Sequence, residues 1–104
     1  MQAELEKQNG LCILHLSGDI VLSHAEEAKN LMLDALAGCR ELEVDLSQIS
    51  DMDSAGLQLL IMLKRQARAR QKVLRLVRHS ETVIDMLETV NLVGYFGDPL
   101  VLSA

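Results

Sequence analysis

Residues 41–46 read Glu-Leu-Glu-Val-Asp-Leu, a strict alternation that puts Leu42, Val44 and Leu46 on one side of an extended chain and three carboxylates on the other. The stretches on either side are spaced differently. Before it, Ala25, Ala28, Met32, Ala35 and Leu36 recur at helical intervals and Gly38 supplies a stop; after it, from Ser54, the chain turns into strong helix formers. A half-buried strand set between two amphipathic helices leaves few architectures open. Each helix must lay its apolar stripe on a sheet, and a crossover through a helix returns the chain parallel to the strand before it. The sequence therefore predicts an α/β fold.

The remaining segments fit that plan. Asn9-Gly10 is a strong hairpin signal, joining a strand over residues 4–8 to an apolar one over residues 11–16. The second of these is apolar on both faces except at His15, as a strand inside a sheet should be, and Gly18 with Asp19 is expected to end it. Ser23-His24-Ala25-Glu26 has the spacing of a capping box and predicts a helix from about residue 24 to residue 37. Residues 47–53 read as a polar loop. In the helix that follows, Leu57, Leu60, Ile61, Lys64 and Ala67 trace one face, and Leu59, Met62 and Leu63 widen the apolar arc so that it should touch two surfaces. Residues 73–77 form a further strand. Ser80 caps a third helix carrying Val83, Ile84, Leu87 and Val90, and residues 100–102 suit a short final strand. The predicted order is β-β-α-β-α-β-α-β, a mixed sheet of four to five strands packed against helices in one domain spanning residues 1–104.

Composition narrows the function. With 15 acidic residues against 10 Lys and Arg, no Trp, one Tyr and one Phe, the chain has neither the cations to hold a phosphate backbone nor the aromatic platforms on which bases stack, so nucleic acid is not the expected partner. No basic start followed by an apolar run opens the sequence, and its densest apolar stretch, residues 57–63, is far too short to insert in a membrane. A cytoplasmic location is expected. Cys12 and Cys39 lie among aliphatic neighbours without CxxC spacing and read as reduced, buried core residues.

Catalytic constellations are missing. Ser54 sits in Met52-Asp53-Ser54-Ala55-Gly56, which has Met52 where a G-x-S-x-G nucleophile elbow needs its first Gly. His15, His24 and His79 have no ExxH or HxxxH spacing, and the glycines do not assemble a phosphate loop. The reading is of a non-enzyme with no cofactor and no metal. What remains is the junction after the alternating strand, where Asp51 and Asp53 precede Ser54. On its own this predicts an N-cap by Asp53 or Ser54. Gly56 stands out, because Gly in a first helical turn costs about 1 kcal/mol relative to Ala and belongs where another backbone comes close.

Taken together, Ser17-Gly18-Asp19-Ile20, Asp45-Leu46-Ser47, Asp53-Ser54-Ala55-Gly56-Leu57 and Leu74-Arg75-Leu76-Val77 followed by Val83-Ile84-Asp85-Met86-Leu87 resemble the STAS domain of sulfate transporters and anti-sigma factor antagonists over nearly the whole chain. The resemblance implies a single STAS-like domain and a regulatory, protein-binding role in signalling and transcription control. It matches Ser54 to the serine that is phosphorylated in anti-sigma factor antagonists, and it places the docking of an anti-sigma factor of serine-kinase type on the surrounding surface. Partner-binding residues by this resemblance are Asp19, Asp51, Asp53, Ser54, Ala55, Gly56 and Leu57, with Leu59 and Met62 from the spare apolar arc. Kinase-regulated members have a second acid two residues after the acid of the Gly-Asp turn, where this chain has Val21. That altered turn resembles small STAS proteins that dock in lipid-transporting ABC complexes or chemotaxis clusters without phosphorylation.

The net charge of −5 is unevenly spread. Residues 1–53 hold 11 acids and 3 bases, residues 54–104 hold 4 acids and 7 bases, and the bases gather at Lys64, Arg65, Arg68, Arg70, Lys72, Arg75 and Arg78. The simplest role for that cluster is to complement the negative end of a helix dipole.

Overall fold

The computed structural model describes residues 1–89. Strand β1 (Gln2–Gln8) turns through Asn9 and Gly10 into β2 (Leu11–Ile20); a 3-10 turn (Leu22–His24) leads to α1 (Ala25–Ala37); then follow β3 (Glu41–Met52), α2 (Ser54–Ala69), β4 (Val73–Val77) and α3 (Glu81–Thr89). Asn9 and Gly10 both take positive φ, 49° and 88°, the geometry that a two-residue hairpin with matched twist requires. The sheet order is β1-β2-β3-β4. Among the described residues β1 and β2 pair antiparallel, while β2 with β3 and β3 with β4 are parallel, each joined by a helical crossover, so the sheet is mixed as expected. The final strand expected at residues 100–102 and Val90 of the third helix lie outside the described residues.

One face of the sheet carries the core. Leu14 and Leu16 of β2, Leu42, Val44 and Leu46 of β3, and Leu74 and Leu76 of β4 are buried against Ala28, Met32 and Leu36 of α1 and Leu57, Leu60 and Leu63 of α2. These are branched or flexible aliphatic side chains, so the core formed by the described residues is built from many modest burials of about 1.5–3 kcal/mol each. The basic cluster is partly absorbed by the fold. Lys72 donates from Nζ to the carbonyls of Leu36 and Ala37 at 2.6 and 3.3 Å, closing the negative end of α1, and Arg75 donates from Nε to Glu43 at 3.1 Å.

Four expectations change. Residues 47–53 are largely strand: β3 continues to Met52 and pairs with a β2 that runs through Gly18 and Asp19 to Ile20. Ile49 and Met52 are buried, 3% and 4% exposed, and this supplies the hydrophobic reason for continuing. Register shifts between His15 and Ser17 and between Gly18 and Asp19 break the period of two that would have marked the segment. The capping box is not formed, because the 3-10 turn occupies its first residues and His24 stands at the N-cap of α1 without a side-chain hydrogen bond. Cys12 and Cys39 are buried as expected but are bridged, with Cα atoms 6.0 Å apart. The crossover through α1 brings Cys39 back beside the start of β2, a proximity that a separation of 27 residues conceals.

The face of the sheet turned away from α1 and α2 carries a polar clamp over three strands. His15 Nδ1 lies 2.7 Å from Asp45 Oδ2 and His15 Nε2 lies 2.6 Å from Glu6 Oε1, tying the edge strand β1 through β2 to β3. The hydrogen bond to Asp45, with help from Glu6 and against some desolvation, raises the His15 pKa above its ordinary 6.5. For Asp45, burial pushes upward, but hydrogen bonds from Ser47 and His15 outweigh it and hold the carboxyl below 3.8. The His15 contribution to stability is therefore complete below about pH 6.5 and lost as pH rises through the raised value; that of Asp45 is present above about pH 4 and lost as pH falls. Urea midpoints of wild type should decline between about pH 6 and pH 9 relative to His15→Gln, which lacks the titrating group. Parallel profiles for the two proteins would show that the clamp does not contribute.

Candidate functional site

The parallel pair β2 and β3 ends side by side, with Asp19 opposite Asp51 and Ile20 opposite Met52. From there the chains diverge, β2 into the 3-10 turn and β3 into α2. Asp53 holds the divergence together. Its Oδ1 accepts the Gly56 N–H at 3.1 Å and its Oδ2 accepts the Leu22 N–H at 3.0 Å, while its own N–H donates to Ile20 O at 3.4 Å. Asp53, in extended conformation, is thus the N-cap of α2, and the same carboxylate fixes the turn that follows β2. The Leu22 and Gly56 N–H groups hold its pKa below the ordinary 3.8, so this arrangement is present above about pH 4 and weakens as the carboxylate protonates.

Gly56 explains how close the two elements come. A Cβ there would collide with Ile20 O and would lie 2.9 Å from Ile20 Cγ2 and 3.0 Å from Met52 Cγ. Only a residue without a side chain lets the first turn of α2 press against the end of β2.

Ser54, the first residue of α2, is exposed. Asp51 is exposed too, and its Oδ1 accepts the Met52 N–H at 2.9 Å. Asp19 accepts the Ser50 hydroxyl at 2.8 Å, linking the two strand ends at the surface. Of the other residues singled out in the sequence, Ala55, Leu59 and Met62 are half-buried, and Gly56 and Leu57 are buried, Leu57 being 7% exposed. The surface of the junction is therefore made by Asp19, Asp51, Asp53, Ser54 and Ala55, with Gly56 and Leu57 seating it on the core. Leu59 packs its inner side on that core.

Sequence reasoning passed over Leu22, whose side chain is 74% exposed beside this junction. Its only signal was an apolar pair, Val21-Leu22, standing in an otherwise polar connection. Among the described residues no group of three or more His, Cys, Asp or Glu side chains is arranged to hold a metal, and no helix is long and apolar enough to cross a membrane.

The family model described as "Mlab, STAS domain" matches residues 3–102. Three solved structures share the fold. The anti-sigma factor antagonist SpoIIAA in its unphosphorylated form superposes with a TM-score of 0.73 at 20% identity, covering 95% of this chain and 89% of that one. An anti-sigma factor antagonist from Mycobacterium paratuberculosis gives 0.82 at 19% identity, covering 96% and 86%. The Bacillus cell fate determinant SpoIIAA in the phosphorylated form gives 0.68 at 19% identity, covering 91% and 87%.

Proposed function

Because the chain belongs to the STAS family, we propose that it is a non-enzymatic regulatory module that docks a protein partner through the start of α2, with the charge on Ser54 as the switch. The observation that carries this reading is that Ser54 is exposed at the first position of a helix whose cap is supplied by another side chain, Asp53. A phosphate on Ser54 leaves that cap in place, and the positive end of the helix dipole tolerates it. At a docked surface the same phosphate, with a charge of about −1.5 to −2 added beside Asp51 and Asp53, crowds those two carboxylates and must be stripped of water. The fold persists while the contact is lost. By family resemblance the partner is an anti-sigma factor of serine-kinase type.

One feature favours a second reading. Val21 stands where kinase-regulated relatives carry an acid, which suits a module that docks permanently in a lipid-transporting ABC complex or a chemotaxis cluster. Both are tested by recovering the partner from the native cell and titrating it with Ser54→Ala and Ser54→Asp. The switch predicts that Ser54→Ala binds within about twofold of wild type and Ser54→Asp about tenfold or more weakly. Equal binding by all three proteins would rule out the charge switch, and recovery of an ATPase subunit in place of a kinase-fold protein would select permanent docking.

A further inference from the structure

Leu22 is the most exposed of the large hydrophobic side chains among the described residues, at 74% against 43% for Val73 and 38% for Leu5. An isolated exposed leucine is ordinary on protein surfaces. This one differs in how it is held and in what surrounds it. Its backbone N–H is bound by Asp53 Oδ2, the partner oxygen of the carboxylate that caps α2, so Leu22 and Ser54 are fixed to one another through a single residue. No residue of its 3-10 turn is buried, so the side chain gains nothing from the core.

The surroundings are mostly acidic. Asp53 holds the Leu22 N–H, Asp19 stands three residues before Leu22 and opposite Asp51 in the register, and Glu26 and Glu27 follow it in the first turn of α1, where the Met1 amino group lies 3.8 Å from Glu27 Oε1. No Lys or Arg occurs between Lys7 and Lys29 or between Arg40 and Lys64, the segments that carry the ends of β2 and β3 and the turns after them. An exposed apolar side chain on a tethered backbone in a mostly acidic segment is the complement of an apolar socket bordered by cations. An anionic lipid surface would be repelled by the same carboxylates.

We propose that Leu22 is the apolar anchor of the docking surface, entering a socket on the partner protein bordered by Lys and Arg. This rests on the reading that the partner docks at the start of α2, and it names the chemistry of the partner's face. Leucine burial at the centre would supply affinity, and the excess of carboxylates would supply orientation and fast association.

The test places the photo-crosslinker p-benzoylphenylalanine at position 22, at position 54 and, as a control, at position 5 of the full chain in its native cell, and sequences the crosslinked peptides. The expected result is a position-22 adduct on a peptide of another protein that has apolar residues flanked by Lys or Arg, and none from position 5. Leu22→Ala should then weaken that complex by about thirtyfold with an unchanged melting temperature, and added salt should slow its association. Adducts from position 54 but not 22, or an acidic captured peptide, overturn the anchor while leaving docking at α2 intact. Adducts from neither position overturn both. A position-22 adduct on the Lys64–Arg70 region of a second copy replaces the partner protein with self-association.

Discussion

Gly56→Ala should lower the stability of the domain by about 3 kcal/mol or more, the upper range for overpacking, because the added methyl meets backbone. Ile20 O and Met52 Cγ come from the ends of β2 and β3, and neither strand end moves without disturbing their parallel pairing. The alternative relaxation is for the first turn of α2 to lift away, which pulls Gly56 N–H from Asp53 and releases Leu22. Either way the site is lost with the stability. Urea denaturation checks this with Gly38→Ala as the control, since a Cβ at Gly38 has no neighbour nearer than 3.8 Å. The control should shift by less than about 1 kcal/mol. Comparable shifts for the two variants would refute the close approach that Gly56 is held to permit.

Reducing the Cys12–Cys39 bridge should cost about 3–4 kcal/mol, from the freedom regained by an unfolded chain no longer closed over a span of 27 residues. Denaturant midpoints with and without dithiothreitol measure it. A Cys12→Ala/Cys39→Ala double variant, already lacking the bridge, should show no further change on adding reductant. Partner affinity per folded molecule should be the same before and after reduction, because the bridge lies where β2 and β3 begin and Ser54 lies beyond where they end. An oxidised protein no more stable than the reduced one would contradict the bridge as a structural tie.

The parts of the fold governed by local chemistry were legible in the sequence. Asn9-Gly10 marked its hairpin because few other pairs adopt two positive φ angles, and residues 41–46 marked β3 because one face carries carboxylates and the other aliphatic side chains that enter the core. The second half of β3 was not legible, since register shifts insert residues and destroy the alternation on which a strand is recognised. Ser23 and Glu26 misled because a capping box requires the backbone to enter the helix directly, and here a 3-10 turn intervenes. The disulfide and the exposure of Leu22 depend on which distant segments meet, and no window along the chain contains that information. At the site, the block from Asp53 to Leu57 was found by resemblance. Its division of labour emerged only in three dimensions: Asp53 as tie, Ser54 as surface, Gly56 and Leu57 as seat.

The hairpin turn at Asn9 and Gly10 lies with Arg40, Gln71 and Lys72 around one hollow, where Arg40 N–H donates to Gly10 O. All of these residues sit where β2, β3 and β4 begin, whereas the Ser54 surface sits where β2 and β3 finish. The domain therefore offers a handle remote from the proposed docking surface. A fluorophore or a surface tether attached at the exposed Gln8, beside the turn, would leave Leu22 and Ser54 facing solution, giving an oriented probe for measuring association with the partner.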